Sequence, residues 1–276
     1  MRFLLRATAL AASLALLLAG APAGSFRFVF LGDRTGEAQP GVYERVWQQL
    51  AREHPAFVVS VGDTIQGLND ATAAMEWRQI FGDLRPYRGI PLYLTPGNHD
   101  VWSALSEKLF RQYAGHPLHY SLDYAQAHFT ILDNSRSDEM PAPELQYLER
   151  DLAAHAAQPL KFIVSHRPSW LLNAALGNPD FPLHRLAKKF HVQYVVAGHV
   201  HQMIHTELEG VNYISLPSAG GHLRLSGRYE DGWFFGHTLV EANGTEVRFH
   251  IEEIGGRTTT LRDWGTVGLV KETVTK

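Results

Sequence analysis

The sequence predicts an α/β fold with a largely parallel β-sheet, and three observations lead to that prediction. Short apolar runs alternate with amphipathic stretches between residues 26 and 113, which is the pattern of strands joined by crossover helices. Several of these apolar runs end in glycine followed by polar residues. Beyond residue 202 the pattern changes to short extended segments separated by turn signals.

The first part of the chain supplies three strands and three helices. Strands are predicted over residues 26–31, 57–61 and 90–94, because each is a short apolar run closed by turn-forming residues. Helices are predicted over residues 42–52, 71–84 and 103–113. In the first helix Val42, Val46 and Leu50 recur at helical spacing and give one apolar face.

The rest of the chain is predicted to extend the sheet and then to become strand-rich. Residues 120–124 and 128–132 have the pattern of a hairpin, and strands follow over 160–165 and 193–197. Helices are predicted over 143–156 and 181–190, and Pro143 suits a first helical turn. Extended segments at 203–208, 211–216, 233–240 and 245–252, with turns at Glu209-Gly210 and Asn243-Gly244, predict an antiparallel C-terminal part. No repeat or linker interrupts residues 24–276, which predicts a single domain.

Composition describes a soluble globular protein and excludes several kinds of site. Of the 276 residues 45% are apolar and 19% are charged, and the net charge is −3 at neutral pH. A mildly acidic chain does not favour a general nucleic-acid or anionic-membrane surface. The absence of cysteine excludes disulfides, a thiol nucleophile and thiolate metal ligands, so any metal would bind to His, Asp, Glu or Asn.

Residues 1–23 have the pattern of a secretory signal peptide. Arg2 and Arg6 form a basic start, residues 9–18 are apolar, and Ala21-Pro22-Ala23 is a small-x-small cleavage site before Gly24. The apolar run is shorter than the roughly 20 residues of a membrane-spanning helix, although an uncleaved anchor is the alternative. The sequence therefore predicts a periplasmic or secreted protein with no stable membrane anchor after cleavage.

Polar side chains follow five of the predicted strands. They are Asp33, Asp63, the run Asn98-His99-Asp100, His166, and the pair His199 and His201. Because parallel strands place their carboxyl ends along one sheet edge, we expect these side chains to converge. Turn chemistry explains any one of these motifs, but it does not explain the whole series in order. Two aspartates, an asparagine and three histidines suit divalent metals, and two metals about 3.5–4 Å apart could share one carboxylate.

The motifs resemble those of a known family, the calcineurin-like metallophosphoesterases. The matching blocks, between residues 26 and 218, are Gly32-Asp33, Gly62-Asp63, Gly97-Asn98-His99-Asp100, His166 and Gly198-His199-Val200-His201. The resemblance implies a four-layer αββα sandwich with two mixed β-sheets. It also implies two divalent metal ions, drawn from Mn, Fe, Zn and Co, and a small phosphoester substrate.

The resemblance also implies a role for each metal ligand. Asp63 would bridge the two metals. Asp33 and His201 would bind the first metal, and Asn98, His166 and His199 would bind the second. A metal-activated water would then attack phosphorus in line with the leaving group.

The catalytic acid implied by the resemblance is His99. It would protonate the leaving alkoxide, and Asp100 would orient its ring. The sequence thus predicts a metal-dependent phosphoester hydrolase, and it leaves open whether the substrate is a monoester or a diester.

The first block departs from the family pattern Asp-x-His, whose histidine binds the first metal. Here the block is Asp33-Arg34-Thr35, and the hydroxyl of Thr35 is a poor ligand for a transition metal. Purple acid phosphatases use a tyrosine three residues after the second aspartate, where this chain has Gln66. The first site is therefore expected to be weak, which allows an alternative function as a non-catalytic or single-metal binding module. Arg34 is a candidate for binding substrate phosphate, and a structural ion pair is the other interpretation.

Overall fold

The computed structural model of the chain describes residues 24–264, so the expected signal peptide lies outside the described residues. In chain order the strands are β1 (Phe26–Leu31), β2 (Val58–Ser60), β3 (Leu92–Leu94), β4 (Tyr120–Tyr124), β5 (Ala127–Ile131), β6 (Leu160–Val164), β7 (Tyr194–Ala197), β8 (Ile204–Leu208), β9 (Val211–Ser215), β10 (Gly236–Asn243), β11 (Glu246–Glu253) and β12 (Thr258–Thr259). The α-helices are α1 (Val42–Arg52), α2 (Asp70–Asp83), α3 (Ala104–Ala114), α4 (Ala142–Ala154), α5 (Leu171–Ala175) and α6 (Pro182–Lys189). Within residues 24–264 no helix has the length and apolar character needed to cross a lipid bilayer.

These strands form two six-stranded sheets, each of which mixes parallel and antiparallel pairs. The first sheet has the order β12-β11-β10-β1-β2-β3, and the second has the order β4-β5-β6-β7-β9-β8. In the first sheet β1, β2 and β3 are parallel, and in the second β5, β6, β7 and β9 are parallel. The parallel strands are the ones that the polar loops of the sequence follow.

Alternation along the buried strands divides the apolar side chains between layers. In β1 Phe28 and Phe30 face the core between the two sheets, whereas Val29 and Leu31 face α1, α2 and α3. In β6 Phe162 lies in the same central core, and Ile163 faces α4, α5 and α6. Three cores therefore separate four layers, and the predicted αββα sandwich with two mixed sheets is confirmed.

Local sequence explains where the helices begin and which face they bury. The predicted apolar face of α1 is buried, with Val42 4% exposed and Val46 and Leu50 fully covered. Helix α3 begins after Ser103, whose hydroxyl accepts a hydrogen bond from the Ser106 amide at 3.1 Å in a capping box.

The C-terminal part differs from the prediction in pairing and in strand bounds, by one residue in β8, β9 and β11 and by three residues in β10. Strand β9 pairs in parallel with β7, so the expectation of an antiparallel arrangement holds for β8 with β9 and for β10 with its neighbours, but not for this pair. Strand β10 covers 236–243 rather than 233–240, because its register is set by the hairpin with β11, in which Asn243 pairs with Glu246. The predicted turn at Asn243-Gly244 joins β10 to β11, and Gly244 has a φ of 60° there.

Candidate metal centre

The polar loops of both sheets meet at one end of the sandwich. Asp33 and Asp63 follow β1 and β2 of the first sheet, and His166 and His199 follow β6 and β7 of the second. The amide of His199 donates to both carboxylate oxygens of Asp33, at 3.0 and 2.9 Å, and Nε2 of His166 lies 3.3 Å from Oδ1 of Asp63. The convergence expected at one sheet edge therefore occurs between two edges, one from each sheet.

One group of possible metal ligands contains Asp63, His166 and His199, whose ligand atoms lie within 4.8 Å of one another. Nε2 of His166 is 2.9 Å from Oδ1 of Asn98 and 3.2 Å from Nδ1 of His199. Nδ1 of His166 lies 2.9 Å from the Val61 carbonyl, which can only accept, so Nδ1 carries a proton and Nε2 faces the group. A fixed tautomer of this kind suits a histidine that binds metal.

The second group contains Asp33, Asp63 and His201, again within 4.8 Å. Nδ1 of His201 contacts the carbonyl of His222 at 2.7 Å, which leaves Nε2 as the free ring nitrogen. Nε2 is buried, lies 3.4 Å from Oδ2 of Asp33, and has no hydrogen-bond partner among the described residues. A buried nitrogen without a partner beside two carboxylates fits a divalent cation.

The two groups share Asp63, so together they suit a pair of metals. All six predicted ligands are brought together, and their oxygen and imidazole donors suit Mn, Fe, Zn or Co.

Charges within the centre shift the pKa values of its members. Burial disfavours the charged form of Asp63, but the adjacent His166 outweighs it and holds the pKa of Asp63 well below its usual range. Burial likewise opposes the charge of His166, yet Asp63 and Asp33 raise its pKa to about 9. Burial and then the neighbouring His166 lower the pKa of His199 to about 4. A cation entering the centre must displace a proton from His166, so its binding weakens as pH falls.

Three of the candidate ligands have a left-handed backbone, which is uncommon for residues other than glycine. The φ angles are 56° at Asp63, 68° at His199 and 60° at His201. Each such conformation costs on the order of 1–3 kcal/mol and persists only where the surrounding structure holds it. Their concentration at these positions indicates that the backbone is shaped for the site.

Two glycines permit the close approach of the loops. A Cβ at Gly97 would lie 2.2 Å from the amide nitrogen of Asp63, and a Cβ at Gly198 would lie 2.2 Å from Oδ1 of Asp33. Any side chain at either position would displace a carboxylate of the centre. The glycines that precede Asn98 and His199 are therefore part of the ligand geometry.

His99 lies beside Asp63 and is oriented by a backbone carbonyl. Its amide donates to Oδ1 of Asp63 at 2.9 Å, and its ring Nδ1 is 2.5 Å from the carbonyl oxygen of Gln66. Because that carbonyl can only accept a hydrogen bond, Nδ1 carries a proton and donates it to this bond, and Nε2 is the nitrogen left for proton transfer.

Asp100 does not make the predicted contact with the ring of His99. Its buried carboxylate accepts hydrogen bonds from the amides of Thr64, Ile65 and Gly97 at 2.8, 3.1 and 3.1 Å. The ring of His99 is held by Gln66 instead. Burial and then the charge of Asp63 raise the pKa of Asp100 to about 7. Asp100 thus joins the loop after β2 to the loop after β3, and it acts on the site through the backbone.

A family model described as calcineurin-like phosphoesterase matches residues 26–203, which contain all six ligands and His99. The chain belongs to the calcineurin-like phosphoesterase family. The protein is accordingly an enzyme that hydrolyses phosphoric ester bonds.

Individual relatives of this calcineurin-like phosphoesterase are distant. A curated relative is the 3',5'-cyclic adenosine monophosphate phosphodiesterase CpdA of Escherichia coli (strain K12), which is 28% identical over 199 residues, covering 68% of this chain and 69% of the relative. The purple acid phosphatase PPD1 from yellow lupin (Lupinus luteus) seeds superposes with a TM-score of 0.65 and 16% identity, covering 86% of this chain and 53% of that one. GAP50, described as the anchor in the inner membrane complex of Plasmodium, has a TM-score of 0.60 and 18% identity, covering 86% and 88%. The two structural similarities show a shared fold.

In this calcineurin-like phosphoesterase a hydrogen bond that was not predicted from the sequence links the Asp33-Arg34-Thr35 block to Gln66. The hydroxyl of Thr35, which is fully buried, donates to Oε1 of Gln66 at 2.5 Å. These are the two positions at which the first metal could have gained another ligand. Arg34 donates to the Thr64 carbonyl at 3.3 Å and lies 5.6 Å from the centre of the Tyr43 ring. Neither contact is the ion pair of the structural interpretation, and the binding of substrate phosphate by Arg34 stays a prediction.

Two residues beside the ligands, Asn134 and Arg167, were not predicted from the sequence. Oδ1 of the buried Asn134 accepts from the amides of His166 and Arg167, both at 3.0 Å. Asn134 follows β5, which is a parallel strand, so the rule that found the ligands could have found it. Arg167 directly follows a ligand, and its position beside His199 gave no signal in the sequence.

Proposed function

We propose that this protein hydrolyses small phosphodiesters at a dinuclear metal centre, with His99 as the general acid. The observation that carries the proposal is the pair of ligand groups that share Asp63, with His99 bonded to the same carboxylate. A structural metal site has no need of a proton donor beside it. The phosphodiester class is supported by the curated relative, which is named as a cyclic nucleotide phosphodiesterase.

Each residue has a defined task in this reaction. Two divalent cations, when bound, supply Lewis-acid stabilisation of phosphoryl charge and lower the pKa of water toward about 7. Asp63 belongs to both ligand groups, so its carboxylate holds the two groups next to each other. His99, protonated on both ring nitrogens, donates the Nε2 proton to the oxygen that leaves as the P–O bond breaks, while Nδ1 stays bonded to Gln66.

The decisive experiment is a metal-supplemented assay of purified residues 24–276. The protein is stripped with a chelator and supplied separately with Mn²⁺, Zn²⁺, Fe²⁺ or Co²⁺. Release of 4-nitrophenol is followed from bis(4-nitrophenyl) phosphate and from 4-nitrophenyl phosphate, and cyclic AMP hydrolysis is measured in parallel. We expect metal-dependent release that favours the diester, and its loss in Asp63→Asn because both groups lose the negative carboxylate that they share.

The assay also separates catalysis from a binding function on the same fold. Thr35 stands where the family pattern has a metal-binding histidine, so the group of Asp33, Asp63 and His201 lacks one ligand of that pattern, which favours a single-metal or binding module. GAP50, which has the same fold, is described as an anchor and not as an enzyme. Absence of hydrolysis with all four metals, while elemental analysis finds one metal or none per chain, would support that module and contradict the proposal.

A further inference from the structure

We propose that Arg167 is a substrate-binding residue whose guanidinium binds a non-bridging oxygen of the phosphoryl group. The inference rests on the proposed function, since it assigns a further group to the same site. It begins with the position of Arg167, which follows the candidate ligand His166 and contacts the candidate ligand His199.

The backbone of Arg167 is held in place by one buried side chain. Oδ1 of Asn134 accepts from the Arg167 amide at 3.0 Å, and Nδ2 of Asn134 donates to the Arg167 carbonyl at 2.8 Å. Asn134 is 1% exposed. The same Asn134 oxygen accepts from the His166 amide, so the guanidinium and the metal ligand are positioned by one anchor.

The guanidinium lies at the edge of the metal centre with part of its hydrogen-bonding capacity unused. Nη1 donates to Nε2 of His199 at 3.3 Å and to Oδ1 of Asp138 at 2.5 Å, and Nε donates to the Ser135 carbonyl at 3.3 Å. Nη2 has no hydrogen bond to any residue in the range 24–264. The Arg167 side chain is 20% exposed, so its charged guanidinium is largely shielded from water but can still be reached by small ligands.

Both partners of Nη1 are ones that a phosphoryl oxygen can replace. Asp138 is 89% exposed, and an ion pair with so exposed a carboxylate is weak because water and salt screen it. Nδ1 of His199 faces His166 and the ligand group, and Nε2 faces Arg167. An imidazole that binds a cation through Nδ1 carries its proton on Nε2, so it no longer accepts from Arg167. A guanidinium released in this way suits the two oxygens of a phosphoryl group.

The test compares Arg167→Ala and Arg167→Lys with Arg136→Ala as a matched control. Arg136 is a nearby arginine whose Nη2 pairs with Glu107 at 2.8 Å on the surface. We measure KM and kcat for bis(4-nitrophenyl) phosphate, the binding of inorganic phosphate by calorimetry, and metal content. For Arg167→Ala we expect KM and the Kd of phosphate to rise about 10- to 100-fold, because a charge-assisted hydrogen bond to the phosphoryl group is lost. We expect a smaller fall in kcat. Arg167→Lys should recover part of the loss, and Arg136→Ala should match wild type.

The outcomes separate this inference from the proposed function. Unchanged KM and phosphate affinity in both Arg167 variants, in an enzyme that turns over, would overturn the role of Arg167 and leave the function standing. If the wild type binds phosphate through Arg167 but hydrolyses neither ester, the function fails and the inference holds. Loss of metal in Arg167→Ala would overturn the inference too, because Arg167 would then serve to position His199. Should the alanine variant not fold, the lysine variant decides by the same measurements.

Discussion

The backbone of His99 contacts the candidate metal centre, and its ring is the proposed proton donor. The contact with Asp63 is made by the amide of His99, so a substitution of the side chain leaves that contact in place. Within residues 24–264 the ring makes one hydrogen bond, to the Gln66 carbonyl, and none to the six candidate ligands. Proton donation and metal binding can therefore be separated at this residue.

We predict that His99→Ala lowers kcat by about 10²- to 10⁴-fold, the usual contribution of a general acid. The metal content should stay that of the wild type, because no ligand is altered. Steady-state kinetics on the diester and elemental analysis of the same preparations check both statements. His250→Ala, on β11, is the control, and an unchanged kcat in His99→Ala would remove the residue from the mechanism.

The carboxyl ends of parallel strands account for most of what the sequence could predict about the centre. The rule needs only the strand positions, and these follow from short apolar runs such as 26–31 and 160–165. The rule predicts that Asp33, His166 and His199 lie close together, although Asp33 and His199 are 166 positions apart in the sequence. Strand ends shift by one or two residues without changing which residues follow them.

Side-chain direction inside the loops could not be predicted in the same way. Asp100 follows His99, but its carboxylate accepts from amides of the Asp63 loop, because direction in a turn depends on dihedral angles that residue types do not fix. Contacts made by backbone carbonyls, such as that of Gln66 with His99, leave no mark in residue type. The Thr35–Gln66 bond joins two loops, so it could be recognised only after the loops were placed.

A second cluster of histidines and aspartates joins β4, β5 and α4. Nδ1 of His128 is 2.7 Å from Asp123 and Nε2 is 2.9 Å from Asp151, while the His128 ring stacks on that of His155 at 4.0 Å. Asp123, His128 and His155 are close enough together to bind a metal. Both ring nitrogens of His128 already face carboxylates, however, and stacked rings do not point at a common ion. We interpret the cluster as an ion-paired network that holds the helix to the sheet.

This network predicts a pH-dependent contribution to stability. Burial lowers the pKa of His128, but hydrogen bonds to Asp151 and Asp123 outweigh it and raise the pKa above its ordinary 6.5. The stabilisation is therefore fully present below about pH 6.5 and is lost as pH rises through the pKa of the folded state. His128→Gln should lower the free energy of unfolding by about 1–3 kcal/mol at pH 6 and by less at pH 9. Thermal or denaturant unfolding at both pH values checks this, with His250→Gln as control. A difference in unfolding free energy between wild type and His128→Gln that is the same at both pH values would contradict it.

At the scale of the whole molecule, the centre depends on how the two sheets pack. Asp33, Asp63 and Asn98 come from the first sheet, and His166 and His199 come from the second. The core between the sheets, which contains Phe28, Phe129 and Phe162, is the layer that sets their separation. Any cation bound by both sets of ligands cross-links the two sheets, so packing in the central core and metal affinity are linked. The ligands of the first half of the sequence and those of the second half meet only when the two sheets pack, so neither half contains a complete site.

The cellular location is a property of the whole chain, and it depends on residues 1–23. We propose that residues 1–23 direct export and are removed before Gly24, which lies two residues ahead of β1 at Phe26, so cleavage leaves every described strand and helix intact. Expressed in full in a Gram-negative host, the protein should appear in the periplasmic fraction with the intact mass of residues 24–276. Leu16→Arg places a charge in the apolar run and should keep the uncleaved chain out of that fraction. A full-length wild-type chain recovered with the membranes would show an uncleaved anchor instead.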